Sequence, residues 1–490
     1  MRTESNGMKP GVTYGYEMVI GLEVHCQLKT QTKAFCGCRT SFGAQPNENT
    51  CPVCLGLPGA LPVLNQRAVE LAATAALALE CTVHEQSIFA RKNYFYPDLP
   101  KGYQISQFDR PLATEGYLNI GLVENGAPVI IRITRVHMEE DAGKSVHDRF
   151  KSASAIDLNR SGTPLIEIVS EPDIRSSAQA GAYVRTLKQV LEYVDVSDAN
   201  MEEGSLRVDV NISARLRGAT ELGTRTEVKN LNSITGVERS IEIEFARQCE
   251  VLAAGGSILQ QTMLWDGHKE QIRPARSKEG SHDYRYFPDP DLPPLILDAT
   301  WIEEKRNSLP ELPSARRHRF ATQYGISAVD IEVLTATLTM AERFETIAAT
   351  AGDAKRAANW VLGPLQAAAN ASGIPLEAHP VSAERLGALI RLEVEGKISN
   401  TAARQILTFM ESSDNDALTI AKREGLLKVS DDGALRTWID ETMGEFPVET
   451  ARFLGGEQKL QGVLVGHVMR KSKGSADPKR LNQLLAERLK

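Results

Sequence analysis

Two stretches of the first 300 residues alternate between apolar and polar side chains, which predicts β-strands. From Met18 to Leu28 every second residue is apolar, and Glu23, His25 and Gln27 share the opposite face. Residues 206–213 repeat the pattern. Their polar face consists of Arg207, Asp209, Asn211 and Ser213. A strand with one apolar and one polar face belongs in an antiparallel sheet that packs on a core with one side only.

Apolar residues at helical spacing predict three helices among these strands. The helices run from about Asn65 to Leu79, from Ser177 to Val194 and from Ile234 to Ala254. A Pro-rich segment, residues 288–313, follows, and helical spacing dominates beyond it. At roughly 150 residues per domain, the length predicts about three domains. We place them at residues 1–305, 306–415 and 416–490.

The composition is that of an ordinary globular protein, with 42% hydrophobic and 24% charged residues. A wholly disordered chain is therefore excluded. The net charge of −7 excludes a protein that coats nucleic acid by bulk charge, although a local basic patch remains possible. No apolar run approaches the roughly 20 residues of a membrane span, and the first residues lack a signal-peptide core. A cytoplasmic location is expected.

Four of the seven cysteines lie within residues 36–54, as Cys36-Gly-Cys38 and Cys51-Pro-Val-Cys54. Two short cysteine pairs can surround Zn²⁺ with four thiolates. Because four protein ligands leave no open coordination position, we expect a structural zinc and not a catalytic one. A redox pair is the alternative, but no thioredoxin-like βαβ pattern surrounds these residues.

Carboxylates recur on or beside the predicted strands, together with a histidine and with cations. The residues are Glu23 and His25, then Glu139, Glu140 and Asp141, then Arg207 and Asp209, and finally Glu227 and Lys229. Carboxylate oxygens and one imidazole from several strands suit Mg²⁺ bound with nucleotide phosphates. The alternative is that they form the solvated faces of a half-exposed sheet. The residues alone support the two interpretations about equally.

Two further patterns bear on nucleotide binding. Gly143-Lys144-Ser145 resembles the end of a P-loop, but Met138 stands where the first glycine is required, so no P-loop is predicted. Residues 91–107 and 282–288 mix cationic, aromatic and amide side chains. Such mixtures can stack on bases and bind phosphates, or they can be ordinary turn and core residues.

The segment from Ile156 to Pro172, IDLNRSGTPLIEIVSEP, closely resembles the signature of the B subunits of glutamine-dependent aspartyl/glutamyl-tRNA amidotransferases. Other blocks resemble that family in the same order over essentially the whole chain. They are residues 21–25, 51–59, 92–98, 139–144, 201–211, 227–230, 282–288, 396–399 and 465–469. Several long blocks in one order identify the chain as a member of this family.

The resemblance implies an α+β fold with an N-terminal antiparallel-sheet cradle domain similar to glutamine synthetase. An all-α helical domain and a small α-helical tail domain would follow and bind the tRNA body. It also implies a heterotrimer with an amidase (the A subunit), which releases ammonia from glutamine, and a small C subunit. The B subunit would bind misacylated Glu-tRNA(Gln) or Asp-tRNA(Asn) and phosphorylate the side-chain carboxylate with ATP. Ammonia would then displace the phosphate.

The resemblance assigns the magnesium-site motif to Glu23, His25 and Glu139 or Glu140. Asp209 and Glu227 join this catalytic set from their place on strand faces. Arg160, Arg207 and Lys229 are expected to balance phosphate charge or orient the acyl group. The expected cofactors are ATP, Mg²⁺ and a structural Zn²⁺. In the basic C-terminal segment the expected tRNA phosphate contacts are Arg470, Lys471, Lys473, Lys479 and Arg480.

Two other functions remain open. The chain could be a non-catalytic tRNA-binding scaffold, but tRNA binding gives no reason to gather carboxylates on strands. It could also be a free-standing ligase that acts on free glutamate, as glutamine synthetase does. That function leaves the helical half and the basic C-terminal segment without a purpose.

Overall fold

The computed structural model describes residues 15–146, 153–275, 284–429, 431–472 and 474–489. The chain folds into two compact units, one ending at Ser314 and the other beginning at Ala315. The mixed α+β class predicted from the sequence is confirmed, because a large sheet dominates the first unit and helices form the second. Within the described residues, no helix is long and apolar enough to cross a membrane.

Among the described residues, the strands all lie in the first unit. They are β1 (Tyr16–Gln27), β2 (Thr82–Val83), β3 (Gln86–Ser87), β4 (Phe89–Asn93), β5 (Tyr103–Gln107), β6 (Ala113–Glu124), β7 (Ala127–Glu140), β8 (Lys144–Val146), β9 (Ala155–Asp157), β10 (Pro164–Ser170), β11 (Leu206–Leu216), β12 (Thr226–Leu231), β13 (Thr262–Asp266), β14 (Gln271–Pro274), β15 (Phe287–Pro288) and β16 (Leu295–Ile296).

Nine of these strands form one sheet in the order β14-β13-β12-β11-β1-β10-β7-β6-β2. All neighbours in this sheet are antiparallel except β12 and β13. The predicted alternation is confirmed in residues 20–27 of β1 and 206–212 of β11, where the residues of the apolar face are buried and the polar side chains between them are not fully buried. Strand β1 lies at the centre, so its polar residues have neighbours on both sides.

The predicted N-terminal helices are confirmed as α1 (Gln66–Ala78), α2 (Ser177–Tyr193) and α3 (Ile234–Ala253). Side-chain oxygens of Asn65, Ser176 and Ser233 accept the first free amides of these helices, which fixes where each begins. The three helices share one hydrophobic core with the apolar face of the sheet. The opposite face of the sheet carries the polar side chains, and β5 packs over part of it at β7. Helix α4 (Ala299–Asn307) packs on α1.

The second unit contains two separate hydrophobic clusters, one built from residues 320–421 and the other from residues 435–485. Its helices are α5 (Pro313–Tyr324, beginning in the first unit), α6 (Ala328–Leu334), α7 (Leu338–Ala351), α8 (Ala354–Trp360), α9 (Gln366–Ser372), α10 (Ala383–Val394), α11 (Asn400–Glu411), α12 (Ala417–Arg423), α13 (Asp432–Glu445), α14 (Pro447–Leu454), α15 (Leu460–Lys471) and α16 (Pro478–Glu487). A π-helical turn, Val361–Leu365, joins α8 to α9, and a 3₁₀ turn, Leu376–Ala378, precedes α10.

Candidate active site

The polar face of the large sheet is organised around β1. His25 lies opposite Arg207 of β11 on one side and Glu167 of β10 on the other. Glu23 lies opposite Asp209 of β11. Residues paired directly across antiparallel strands project on the same face, so strand register alone brings these side chains together.

Three side chains from β1, β7 and β10 form what we term the histidine cluster: His25, Glu139 and Glu167. Their potential ligand atoms all lie within 4.8 Å of one another. His25 Nε2 is 3.3 Å from Glu167 Oε2. His137 Nε2 lies 3.3 Å from Glu139 Oε1 and 3.5 Å from Glu167 Oε2. Two buried carboxylates beside a half-buried imidazole are a donor set suited to a divalent cation.

The ionisation of the histidine cluster follows from its mixed charges. Burial lowers the pKa of His25, but the hydrogen bond and negative charge of Glu167 outweigh burial and raise it overall. Burial raises the pKa of Glu139, whereas His137, Lys92 and His25 lower it more strongly, and the net shift is downward. The pKa of Glu167 is likewise below its ordinary value, because His25 and His137 outweigh burial. Both carboxylates are therefore anionic at neutral pH.

A second group, the carboxylate cluster, consists of Glu23, Asp209 and Glu227 from β1, β11 and β12. Lys229 Nζ lies 2.6 Å from Asp209 Oδ2 and 2.9 Å from Glu227 Oε1. Burial raises the pKa of Glu23, and the charges of Glu167 and Glu227 raise it further. The three carboxylates of the cluster thus lie beside one ammonium group, that of Lys229. A bound phosphate or metal ion would change the net charge of this group of side chains.

Glu139 and Glu140 are adjacent in sequence, but their side chains have different hydrogen-bond partners. Glu139 accepts hydrogen bonds from Gln104 Nε2 and Ser106 Oγ, both on β5. Glu140 accepts from the Ile105 amide and pairs with Lys101, and it belongs to neither carboxylate group. Of the predicted magnesium ligands, His25 and Glu139 therefore share one cluster, while Glu23 belongs to the other.

The predicted arginines meet at a single buried acid, Asp141. Its Oδ2 accepts from Gln27 Nε2 at 2.7 Å and from an Arg207 terminal nitrogen at 2.9 Å. Arg160 Nε lies 3.7 Å from the other oxygen and donates to the Ala142 carbonyl, while a terminal nitrogen of Arg160 donates to the Gly143 carbonyl. Arg207 on β11 thus lies opposite His25 on β1, and Asp141 holds its guanidinium in place. About a third of the Arg207 side chain is exposed.

The four predicted cysteines come together: the sulfur atoms of Cys36, Cys38, Cys51 and Cys54 lie within 4.8 Å of one another. Cys54 Sγ is 3.6 Å from Cys36 Sγ and 3.7 Å from Cys51 Sγ. Sulfurs at the corners of a zinc tetrahedron with bonds of about 2.3 Å lie about 3.8 Å apart. The donor set and its spacing therefore fit a closed tetrahedral metal site. The other described cysteines, Cys26, Cys81 and Cys249, are buried singly.

The predicted tRNA contacts differ in how free their charges are. Lys471 Nζ pairs with Glu441 and Glu445, and Arg480 pairs with Asp432. Within the described residues, Arg470 and Lys479 form no ion pair. Lys473 lies outside the described residues.

Two residues at the histidine cluster, Glu167 and His137, are not predicted as site residues from the sequence. Glu167 is the one acid in the otherwise apolar stretch Pro164–Val169. An acid within a buried strand is a signal that could have marked it as a site residue. His137 and Glu139 are two residues apart on β7, so their side chains project on the same face of the strand. Both side chains face the site because β10 pairs with β7 as well as with β1. These pairings join segments that are distant in sequence, so no local pattern predicts them.

Comparison with known proteins gives full-length matches. Residues 18–303 match the family model described as the GatB/GatE catalytic domain, and residues 342–489 match the GatB domain. The chain is 52% identical to the aspartyl/glutamyl-tRNA(Asn/Gln) amidotransferase B subunit of Geobacter sulfurreducens, over 97% of this chain and 99% of that protein. It is 50% identical to the protein of that name in Chlorobium limicola, with the same coverage. It is also 50% identical to that of Syntrophotalea carbinolica, over 98% of this chain and 99% of that protein.

Proposed function

Because the chain belongs to the family of aspartyl/glutamyl-tRNA(Asn/Gln) amidotransferase B subunits, ligases that form carbon–nitrogen bonds with glutamine as amide donor, we propose that its first unit is an ATP-dependent carboxylate kinase. Its substrate is the side-chain carboxylate of glutamate or aspartate esterified to tRNA(Gln) or tRNA(Asn). A carboxylate oxygen attacks the γ-phosphorus of ATP and ADP leaves. Ammonia then attacks the carbonyl carbon of the side-chain acyl phosphate, phosphate leaves and one proton is released, which gives the side-chain amide.

The observation that carries this proposal is the pair of acidic clusters on the polar face of the sheet. The histidine cluster (His25, Glu139 and Glu167) and the carboxylate cluster (Glu23, Asp209 and Glu227) offer the hard oxygen donors that Mg²⁺ prefers. Bound there, magnesium would neutralise the charge of the nucleotide phosphates. A scaffold that only bound tRNA would repel phosphates at these clusters, which speaks against the scaffold alternative.

The cations around the clusters have matching roles. Arg207 lies opposite His25 and is held by a hydrogen bond to Asp141. Its guanidinium is therefore already oriented to bind an incoming phosphate or carboxylate through its exposed part. Lys229 joins the carboxylate cluster and can balance phosphate charge there. Arg160 donates hydrogen bonds to the carbonyls of Ala142 and Gly143. Its role is therefore to stabilise the backbone of residues 142–143 more than to bind substrate.

We also propose the finer architecture that the family resemblance implies. Residues 1–305 form a cradle similar to glutamine synthetase, residues 306–415 a helical domain and residues 416–490 a tail. The two hydrophobic clusters of the second unit support a division of its helices into two bodies. Cys36, Cys38, Cys51 and Cys54 hold a structural zinc, whose closed shell of four thiolates leaves no position for substrate.

The proposed complex is a heterotrimer that also contains an amidase (the A subunit), which supplies ammonia from glutamine, and a small C subunit. The tail contributes to tRNA binding through Arg470 and Lys479, together with Lys471, Lys473 and Arg480. Lys471 and Arg480 would first exchange their carboxylate partners for phosphates. Phosphate contacts made in this way are sensitive to salt.

The test is a phosphotransfer assay on the reconstituted complex with misacylated tRNA, γ-labelled ATP and ammonium. His25→Ala is compared with His84→Ala, which removes a histidine bonded to Thr114 away from both clusters. We expect His25→Ala to bind tRNA like the wild type but to form neither ADP nor amide, and His84→Ala to remain active. Normal turnover by His25→Ala would refute the kinase and favour the scaffold. Turnover with free glutamate and no tRNA would favour the free-standing ligase.

A further inference from the structure

Four aromatic side chains form a continuous row in the first unit: Phe108, Tyr286, Tyr284 and Tyr94. Phe108 and Tyr286 stack face to face, with ring centroids 4.2 Å apart and planes 7° from parallel. Tyr284 meets Tyr286 edge-on at 6.2 Å, and Tyr94 meets Tyr284 edge-on at 6.2 Å. The row joins two segments that are far apart in sequence, residues 94–108 and 284–286.

The row borders the histidine cluster. Ser106 Oγ donates to Glu139 Oε1 at 2.7 Å, and Phe108 is two residues further along the same chain segment. Further along the row, Lys92 Nζ lies 5.2 Å from the centroid of the Tyr284 ring. Lys92 on β4 lies directly opposite Gln104 on β5, and Gln104 Nε2 donates to Glu139 Oε2 at 3.1 Å. One cation thus lies between the aromatic row and the proposed phosphate site.

The chemistry of this border favours a flat, polar ligand. Phe108 is 47% exposed, although it is a large apolar ring. Asp109 and Arg110, which follow Phe108 directly, are exposed, so an apolar partner surface seated on Phe108 would also cover these two charged side chains, which costs desolvation energy. A nucleobase does not, because it presents a π face to the rings and carries phosphates that seek the cation and the acidic clusters with their metal.

We propose that Phe108 and Tyr286 form a stacking platform for an adenine base, and that Lys92 aids in placing the attached phosphates. The proposal rests on the proposed kinase function. Two adenines meet in that reaction, the base of ATP and the 3′-terminal base of the acylated tRNA. Both offer the same stacking surface, so binding measurements must tell which of the two uses the platform.

Phe108→Leu keeps an apolar side chain but removes the π face, and Phe108→Trp keeps a π face. Tyr117→Leu is the matched control, because Tyr117 lies on β6 and is also 47% exposed. In the reconstituted complex, ATP affinity is measured by displacement of an etheno-adenosine nucleotide. Affinity for the misacylated tRNA is measured by filter binding.

We expect Phe108→Leu to weaken one of the two affinities by roughly 5- to 150-fold, the range for loss of one base stack. Phe108→Trp should bind as the wild type does, and so should Tyr117→Leu. The platform is refuted if neither affinity changes, or if Tyr117→Leu weakens binding equally.

The kinase proposal and the platform proposal fail in different ways. If wild-type complex forms no ADP with misacylated tRNA, the kinase proposal fails, but a loss of adenine affinity in Phe108→Leu would still support the platform. If ADP forms normally and Phe108→Leu binds both ligands unchanged, only the platform fails. Melting temperatures of all three variants show whether each remains folded.

Discussion

The ammonium nitrogen of Lys33 lies 3.3 Å from Cys54 Sγ, on a side chain that is fully buried. The same nitrogen donates to the carbonyl oxygens of Asn49 at 2.7 Å and Leu158 at 3.2 Å. The hydrogen bond from Cys36 and the charge of Lys33 hold the pKa of Cys54 well below its usual range. Lys33 therefore links the cysteine cluster to the loop that leads into Arg160.

Replacing Lys33 with methionine should destabilise the first unit by about 3 kcal/mol. The change leaves the partly buried Asn49 carbonyl without its lysine donor, removes one of the two donors to the Leu158 carbonyl, and removes the cation that offsets the thiolates. Urea unfolding followed by circular dichroism measures the loss. Lys29→Met is the control, because the ion pair of Lys29 with Asp195 is exposed and should contribute little. Equal stability of the two variants would mean that the Lys33 contacts carry no net energy.

Removal of metal should affect the fold before it affects the chemistry. Zinc content, measured by mass spectrometry of the dialysed protein, should be one ion per chain and should fall towards zero in Cys51→Ser and Cys54→Ser. Cys81→Ala lies outside the cluster and should keep the metal. Chelation should lower the melting temperature by several degrees, because the loop of residues 36–54 loses its cross-link. A zinc-free wild type with an unchanged melting temperature would contradict a structural metal.

Local patterns account for the parts of the fold that were predictable. Alternation along β1 predicts that Glu23 and His25 share a face, and their neighbours in the structure follow from that face. Helices α1, α2 and α3 begin beside capping residues that the sequence displays. The cysteine spacing predicts its own cluster, since four thiols so close along the chain have few other arrangements.

The rest of the site depends on pairings that no local pattern encodes. Glu167 joins His25 only because β10 lies between β1 and β7. Alternation along β7 separates Glu139 from Glu140, but which of the two reaches the site is decided by the pairing with β10, where His137, on the same face as Glu139, lies opposite Glu167. Asp141 gains its importance from Arg207, which is 66 residues away.

The salt bridge between Asp173 and Arg132 should make stability depend on pH in the acid range. Burial raises the pKa of Asp173, but hydrogen bonds from the side chain and backbone of Arg132 lower it more, so the folded pKa is below the unfolded value. This stabilisation is therefore complete above the unfolded pKa and is lost as pH falls through the folded pKa.

The stability gap between wild type and Asp173→Asn should accordingly narrow as pH falls from about 6 to about 3. Urea unfolding at several pH values measures it. Asp195→Asn, which removes a mostly exposed carboxylate, is the comparison and should show a small gap throughout. A gap for Asp173→Asn that stays constant with pH would show that the carboxylate charge is not what stabilises the fold.

Gly143 should tolerate no side chain, for a reason unrelated to a P-loop. A Cβ atom there would lie 2.8 Å from Leu158 Cδ2 and 2.9 Å from the Asp98 carbonyl oxygen. Gly143→Ala should cost about 1–3 kcal/mol through overpacking and displace the loop that carries Arg160. Gly466→Ala is the control, since no atom lies within 4 Å of its added Cβ and alanine favours helix α15. Thermal unfolding compares them, and a stable Gly143→Ala would refute the steric argument.

Asp141 should act on catalysis through Arg207, and a double-mutant cycle can test this. Asp141→Asn removes the charge that holds the Arg207 guanidinium, so we expect ADP formation in the reconstituted complex to fall at least about tenfold. Once Arg207 is replaced by alanine, adding Asp141→Asn should cost little more, because the two changes remove one interaction. If the two losses instead multiply, Asp141 serves the site by another route, and its contacts with Gln27 and Arg160 become the ones to examine.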